Sequence, residues 1–572
     1  MTRARDGFGA RAAWPLAIIL AVGLALRLLG LRYGLPYVYN PDEVAIMSRT
    51  LAFAKGDLNP HNFLYPTFYF YVLFAWEGLT ALAAVAMRTV SSFGAFQREF
   101  FFDPTRVYVA GRLLTALLGT ATVAATWAWV RRLAGPVAAL TAAVVVAIAP
   151  LHVRDSHYVK HDVPVTLLIV LAYLTYERLW NPRHEGGGNG IRPLVTAAVV
   201  TGAAFATHYY TVFLALPLAW AAAHGARTRA GALRRILLAG AISAVIFFAL
   251  SPFILAEPAT AVRDIHANRQ IVVDRAVGSL GYAATSAEYA RMLLLDTVGW
   301  PFVLFAVFGI VRADRWVTLR LLAFVVPFAL FIASTFPASR YLVPAVPFVA
   351  SFAGIAIARM ADWNRTAAWV AVTASSILPL RASIATDLFI RQTDTRTLAA
   401  QYIESSVPAG STVLLQPYSV VLEPTAGVLR EAVARTGREM PTKTRLQLAR
   451  TPYPSPAYRV LYLGRGLDAD KIYLSYDELG ADGDLSRLRS EHVAFVVLKR
   501  YNGDDPAALP LIAALNREGR RLAVFSPYRD DAGSGHRSRP EPFLHNTDAR
   551  IDAALERPGP IVEIWQIDGP RS

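Results

Sequence analysis

The sequence predicts a polytopic α-helical membrane protein that carries a C-terminal α/β domain outside the membrane. Of its 572 residues, 54% are apolar and only 17% are charged, a balance that is rare in soluble proteins. Apolar runs long enough to cross a hydrocarbon core of roughly 30 Å recur through the first two thirds of the chain. After Asp387 the pattern changes to short β-like runs. These three observations together predict the fold class.

The charge and the absence of cysteine exclude several classes of function. The formal net charge is +15, but the arginines cluster between apolar runs, which is typical of cytoplasmic loops and argues against nucleic acid as a partner. The chain has no cysteine, so disulfides, thiolate nucleophiles and cysteine-ligated zinc are excluded.

The first predicted span covers residues 14–31, with the N-terminus in the cytoplasm. Arg27 interrupts this run and no small-residue cleavage site follows, so we interpret it as a signal-anchor helix rather than a cleaved signal peptide. Further runs bring the total to about eleven spans. They lie near 105–130, 136–152, 163–180, 193–207, 209–224, 236–255, 291–311, 316–335, 341–358 and 366–384.

The sidedness of the loops constrains one more segment, residues 63–87. Alternate loops carry arginine clusters and should all be cytoplasmic, which fits a cytoplasmic N-terminus only if residues 63–87 do not cross the membrane. The segment opens with many aromatic residues, so we predict a juxtamembrane helix in a long first outer loop. The C-terminus then lies outside, and the expected location is the plasma (inner) membrane, in contact with membrane lipids.

Residues 387–572 are predicted to form the outer α/β domain, and residues 1–386 the membrane domain. The predicted strands are 412–415, 460–463, 493–498 and 561–567, with a helix at 509–521. The domain contains no Walker loop, dinucleotide fingerprint or metal-spaced histidines. The sequence therefore assigns it no chemistry.

Polar residues are concentrated in the loops of the outer side. Ionisable residues at span ends are costly near lipid unless they line a wet cavity, so their convergence predicts a site there. Asp42 and Glu43 follow the first span directly, behind Pro41. They are either catalytic carboxylates or caps of a helix that begins near Val44.

The segment 152–162 holds an unusual number of cations for an outer loop. Lys160 with a histidine suits a phosphate. Alternatively, Asp155 and Asp162 join Asp42 around a divalent cation, which prefers oxygen ligands. In the plainest interpretation Asp162 only starts the next helix.

Basic residues at other span ends are further candidates. Arg340 is a second phosphate candidate or a residue that reaches the headgroups, and Arg106 and Arg112 rank below it. Arg263, His266 and Arg269 lie in a basic outer loop that either closes over a substrate or is simply solvated.

Five motifs in this order resemble a known family. They are Asn-Pro-Asp-Glu (40–43), Tyr-Pro (65–66), Gly-Arg-Leu-Leu-Thr-Ala-Leu (111–117), Ser-His-Tyr-Val-Lys-His-Asp-Val-Pro (156–164) and Ser-Arg-Tyr-Leu-Val-Pro-Ala-Val-Pro (339–347). Together they resemble the GT-C membrane glycosyltransferases. They are most similar to the family 39 group, which contains protein O-mannosyltransferases and lipid A aminoarabinose transferases.

The resemblance implies a polyprenyl-phosphate-linked sugar as donor, inversion at the anomeric carbon, and a hydroxyl acceptor on a lipid, glycan or protein. It implies Asp42 as the catalytic base, with Glu43 as its companion. We expect the donor phosphate to be bound by Lys160, Arg340, His157 and Tyr341, and other substrate contacts to come from Tyr65, His161, Asp162, His208 and Arg269.

One departure from the family affects the expected cations. The aminoarabinose transferases have Lys-Pro where this chain has Tyr65-Pro66, so the phosphate-binding cation there must be replaced, by Lys160 or Arg340. No cofactor is implied with certainty, and a divalent cation stays open because the family contains both cases. A transporter or flippase would instead place charged or helix-breaking residues near the middle of the membrane. A scaffold whose outer domain binds cell-wall material is a third possibility.

Overall fold

The computed structural model describes residues 7–181, 190–224, 226–270, 281–479, 485–500, 506–529, 551 and 553–567. Its N-terminal part is a helical bundle. The helices are α1 (Gly7–Leu28), α2 (Pro41–Ala52), α3 (Phe68–Ala86), α4 (Phe93–Phe102), α5 (Thr105–Ile148), α6 (Pro150–Asp155), α7 (Asp162–Trp180), α8 (Ile191–Phe205), α9 (Ala215–His224), α10 (Arg229–Leu250), α11 (Phe253–Ala256), α12 (Pro258–Arg269), α13 (Tyr282–Met292), α14 (Trp300–Arg312), α15 (Arg315–Ile332), α16 (Val346–Trp363) and α17 (Arg365–Ile390).

By length and composition, 7 helices of the described chain could cross a membrane, or 8 if the bent pair Tyr282–Thr297 and Trp300–Arg312 is one span. The predicted number is larger because α5 contains two predicted spans and several predicted spans form short helices, such as α8 and α9. The chain is a multi-pass membrane protein. The total of about eleven spans and the orientation of the termini stay predictions.

Helix α5 is kinked at Gly135, between its two predicted spans. Gly135 has φ 87°, a conformation that glycine adopts without steric cost, and Pro136 begins the second half. The second half packs against α16, where Gly354 lets the helix backbones approach at Ala138. The largest buried cluster of apolar side chains surrounds this contact.

Helix α3 covers most of the segment that we predict to lie along the surface. Its hydropathy and length alone would allow a span. At its start, the amide of Thr67 donates to Ser251 Oγ (3.0 Å), just beyond α10, while beyond its end Thr89 accepts from Arg106 at the start of α5 (3.2 Å). In the predicted topology both contacts lie on the outer side. The placement of α3 along the membrane surface stays a prediction.

The C-terminal part contains a small mixed sheet of six strands. The strands are β1 (Thr412–Leu415), β2 (Arg459–Leu463), β3 (Tyr473–Leu474), β4 (Phe495–Arg500), β5 (Gly519–Phe525) and β6 (Ile561–Ile567), in the order β3-β2-β1-β4-β6-β5. The helices are α18 (Thr395–Ser406), α19 (Ala426–Thr436), α20 (Thr442–Leu448), α21 (Ser486–Ser490) and α22 (Leu509–Glu518). The four predicted strands are present, but the predicted helix 509–521 ends early, because its last residues belong to β5.

The sheet domain contacts the loop that leads into α2. Tyr39 makes a 2.8 Å hydrogen bond with Thr397, and the guanidinium of Arg396 lies 3.8 Å from the centre of the Tyr39 ring. The outer domain therefore touches the segment that carries the predicted catalytic carboxylates.

Candidate functional site

Helix α2 brings Asp42 to a cavity at the end of the bundle where α7 begins and the segment Ser339–Ala345 lies. Asn40 caps the helix by accepting a hydrogen bond from the Asp42 amide (3.1 Å), and Pro41 occupies the first helical position. Asp42, Ala45 and Arg49 then lie on one face of α2, because residues three, four and seven apart share a helix face. The side chain of Asp42 remains 32% exposed.

Two cations from distant segments meet at Asp42. Arg340, in the 3-10 segment Ser339–Ala345, donates to Asp42 Oδ2 at 2.7 Å. Lys160, in the turn after α6, places its Nζ 3.2 Å from the same oxygen and 3.9 Å from Asp162 Oδ2. Lys160 makes no aligned hydrogen bond with any described residue, so its ammonium can still donate to a ligand. The arrangement suits an anion beside a carboxylate.

An aromatic wall lines another side of the cavity. Tyr65 and His161 stack with ring centroids 4.4 Å apart, and His208 meets the Tyr65 ring edge-on at 5.2 Å. Burial lowers the pKa of His161 to about 3 and that of His208 well below its usual range, so both imidazoles are neutral near pH 7. This wall therefore offers flat, uncharged faces.

The empty space in the cavity and at its open mouth is about 400 Å³. We call it the Asp42 cavity, and it is lined by Asp42, Ala45, Ile46, Arg49, Tyr65, Lys160, His161, Asp162, His208 and Arg340. Seven predicted site residues thus lie together in its lining: Asp42, Tyr65, Lys160, His161, Asp162, His208 and Arg340. Arg49 was missed, although its position seven residues after Asp42 places it on the same helix face.

Glu43 does not line the cavity, which corrects its predicted contact with substrate. Its Oε1 accepts from Arg112 Nε (2.9 Å) and the Val159 amide (3.0 Å), while its Oε2 accepts from Arg112 Nη2 (2.8 Å) and the Tyr33 hydroxyl (2.7 Å). The Glu43 and Arg112 side chains are both fully buried. Glu43 therefore joins α2 to α5 and to the turn that carries Lys160.

Three other predicted site residues also lie outside the cavity lining. His157 is buried and its ring nitrogens face the carbonyl oxygens of Val153 (2.9 Å) and Leu29 (2.5 Å). Tyr341 is buried beneath the Arg340 guanidinium, 5.3 Å from its ring centre. Arg269 is exposed at the end of α12, and the rest of that predicted basic loop, 271–275, lies outside the described residues. The structure therefore does not support phosphate or substrate contacts by these three residues.

The alternative divalent-cation site is not formed by the predicted ligands. Asp155 is buried against Arg154, with Nη2 to Oδ2 at 2.8 Å, and does not line the Asp42 cavity. Within the described ranges, His, Asp and Glu side chains form no group of three or more suited to a metal ion. Arg154 Nη2 also donates to Ser339 Oγ at 3.0 Å. The Arg154–Asp155 pair therefore helps to fix the position of Ser339, the residue before Arg340.

The chain was compared with protein-family models and with solved structures, and both comparisons found similar proteins. The family model described as dolichyl-phosphate-mannose-protein mannosyltransferase matches residues 105–255. The structure of ArnT from Cupriavidus metallidurans bound to undecaprenyl phosphate is 14% identical and has a TM-score of 0.50, with 98% of each chain covered. The archaeal oligosaccharyltransferase AglB from Archaeoglobus fulgidus, in complex with an inhibitory peptide and a dolichol-phosphate, is 14% identical, with a TM-score of 0.47 over 85% of this chain and 69% of that chain.

No curated protein sequence matches the chain. The resemblance to the GT-C membrane glycosyltransferases that the motifs predicted is nevertheless confirmed by the family model and by the shared fold.

Proposed function

We propose that this chain transfers a sugar from a polyprenyl-phosphate carrier to a hydroxyl group of a lipid, glycan or protein acceptor, at the outer face of the membrane. One observation carries the proposal: Asp42, partly exposed in a cavity, is contacted by Arg340 at 2.7 Å and Lys160 at 3.2 Å. A carboxylate and two cations at one point are what this transfer requires. The undecaprenyl phosphate bound by ArnT, which has the same fold, supports a carrier phosphate as the ligand.

The proposed reaction is a single inverting displacement with Asp42 as base. The acceptor oxygen forms a bond to the anomeric carbon, while the bond from that carbon to the phosphate oxygen breaks and its electron pair stays on the phosphate. The acceptor proton moves to the Asp42 carboxylate. A phosphate is a stable anion, so its departure needs no general acid, unlike the alkoxide leaving group in glycoside hydrolysis.

The cations of Arg340 and Lys160 have two roles in this scheme. They stabilise the charge that grows on the phosphate as the glycosidic bond breaks. Without a donor they contact Asp42 Oδ2. A donor phosphate competes for the same cations, so donor binding leaves Asp42 Oδ2 able to accept a hydrogen bond from the acceptor hydroxyl.

The test is transfer from a radiolabelled polyprenyl-phosphate sugar to an envelope fraction by the purified full chain. We expect Asp42→Asn to lower the rate at least about 100-fold, the usual contribution of a positioned base, while donor binding is retained. The matched control is Asp362→Asn, an exposed carboxylate at the end of α16. Equal rates in wild type and Asp42→Asn would remove the base from the proposal.

The proposed location is tested by cysteine labelling, for which the chain is well suited because it has no native cysteine. Single cysteines at position 42 and at the exposed position 334, six residues before Arg340, should both react with an impermeant maleimide added to intact spheroplasts. A cysteine at position 362 should react only after permeabilisation. Labelling of 42 and 334 from opposite sides would contradict the proposed site.

A further inference from the structure

The charged groups that line the Asp42 cavity do not cancel. Among its described lining residues, the cations are Arg49, Lys160 and Arg340, and the carboxylates are Asp42 and Asp162. Three cations and two carboxylates leave one positive charge.

The described charged residues next to this lining form ion pairs, which do not change that sum. Glu43 pairs with Arg112 at 2.8 Å, and Asp155 pairs with Arg154 at the same distance. The buried Asp264, which interacts electrostatically with Arg49, pairs with the exposed Arg263 at 3.0 Å. Each pair has one charge of each sign, so the sum over the lining and these described neighbours stays at one positive charge.

Burial makes this single charge important for selectivity. The side chains of Lys160, Asp162 and Arg340 are only 4%, 7% and 15% exposed. Charges in such surroundings are poorly screened by water, so an additional uncompensated charge is strongly disfavoured.

A polyprenyl phosphodiester carries one negative charge on the phosphate and thus neutralises the cavity. The match persists through the proposed reaction. The phosphate gains one negative charge when the glycosidic bond breaks, while Asp42 loses one when it takes the acceptor proton. The total charge in the cavity is therefore the same before and after transfer, provided that the sugar itself is uncharged.

The aromatic wall agrees with an uncharged sugar. His161 is buried and its Nε2 has no hydrogen-bond partner among the described residues, so it can bond with a sugar hydroxyl. The stacked Tyr65 and the neighbouring His208 add flat surfaces on which the C–H face of a sugar ring can pack.

We infer that the Asp42 cavity selects a carrier phosphodiester whose sugar has no net charge, and that Arg49 and Asp162 set this preference. An amino sugar would leave one positive charge in the cavity, and a uronic acid would leave one negative charge. The inference rests on the proposed function, since it concerns the donor of the same site.

The experiment measures binding of three synthetic short-chain polyprenyl-phosphate sugars to the purified full chain in detergent. One carries a neutral hexose, one an amino pentose and one a hexuronic acid. We expect the neutral donor to bind at least about tenfold more tightly than either charged donor. Tightest binding of a charged donor would overturn the inference and leave the proposed function intact. If none of the three binds, the proposed function fails, and the inference fails with it.

Charge variants give a second, fold-independent readout, because the ratio of two affinities does not depend on the fraction of folded protein. Asp162→Asn should shift the ratio toward the uronic acid donor, and Arg49→Gln should shift it toward the amino donor, each by about fivefold or more. The matched controls Asp362→Asn and Arg98→Gln change the same charges at exposed positions outside the lining, and should leave both ratios unchanged. Ratios that move equally in the variants and the controls would overturn the assignment of Arg49 and Asp162.

Discussion

Asp42 and Glu43 are adjacent acids on α2 with opposite environments. Asp42 shares one oxygen between Arg340 and Lys160 and is 32% exposed in a cavity. Glu43 is fully buried, and its two oxygens accept four hydrogen bonds. The number of hydrogen bonds therefore separates their roles. Asp42 with Lys160 and Arg340, here called the open cluster, can exchange these contacts for a substrate. Glu43 with Arg112 and Tyr33, here called the closed cluster, holds the surrounding helices together.

The largest expected effect tests the closed cluster. Glu43→Gln leaves the buried Arg112 guanidinium without its carboxylate, and breaking a buried ion pair in this way typically costs about 3–5 kcal/mol. We expect a clear fall in the thermal unfolding temperature, measured by tryptophan fluorescence in detergent. Asp42→Asn serves as the neighbouring comparison and should lower the unfolding temperature less, because Asp42 is 32% exposed and solvent screens its contacts with Lys160 and Arg340. Equal shifts in the two variants would contradict the division between closed and open carboxylates.

The next effect tests the open cluster. Arg340→Gln removes the cation closest to Asp42 and one that we propose for the donor phosphate, so we expect transfer to fall about 10–100-fold. The loss should appear in both the donor KM and kcat, because Arg340 contacts the proposed base and the proposed phosphate position. Arg98→Gln, an exposed arginine on α4, is the control. A transfer rate in Arg340→Gln equal to that of the control would contradict a role for Arg340 in the reaction.

A smaller effect is expected one residue away from the open cluster. The hydrogen bond from buried Arg154 to Ser339 fixes the backbone next to Arg340. Ser339→Ala should loosen this positioning, raise the donor KM about threefold to tenfold and change kcat less, since Ser339 itself does not line the cavity. Ser334→Ala, at the exposed end of α15, is the matched control. A loss confined to kcat would contradict a role in donor positioning.

The sequence predicted a mostly helical membrane protein and most of the residues that the structure brings together around Asp42, but not the buried pair of Glu43 and Arg112. Asp42, Lys160 and Arg340 were predicted because each ends or follows an apolar run on one side of the membrane. Nothing local distinguishes Glu43 from Asp42, because its partner Arg112 is 69 positions away.

Two further residues, Arg49 and His157, also have positions that depend on tertiary contacts and that the local sequence does not predict. Arg49 lay on a predicted helix whose orientation only tertiary contacts define. His157 belongs to a motif rich in cations, yet its ring turns to the carbonyl oxygens of Leu29 and Val153 rather than to the cavity. Short runs rich in apolar residues do predict strands here, and β1 and β6 begin and end at the predicted residues.

The last prediction concerns the cost of keeping a neutral imidazole beside Asp42, Lys160 and Arg340. Burial, with Arg49 and Lys160 nearby, lowers the pKa of His161 to about 3, against about 6.5 in the unfolded chain. Below pH 6.5 the unfolded state binds a proton that the folded state does not. The His161 contribution is therefore full above pH 6.5 and is lost as the pH falls toward 3, by up to about 1.4 kcal/mol per pH unit.

We expect the unfolding temperature of wild type to fall between pH 7.5 and pH 5, and to fall less in His161→Phe, which retains an aromatic ring against Tyr65. His208, whose pKa is also lowered by burial, should leave a remaining slope in that variant. Identical slopes in the two proteins would mean that His161 gains its proton without cost. The wall would then be cationic, and the Asp42 cavity would carry two more positive charges than Asp42 and Asp162 offset.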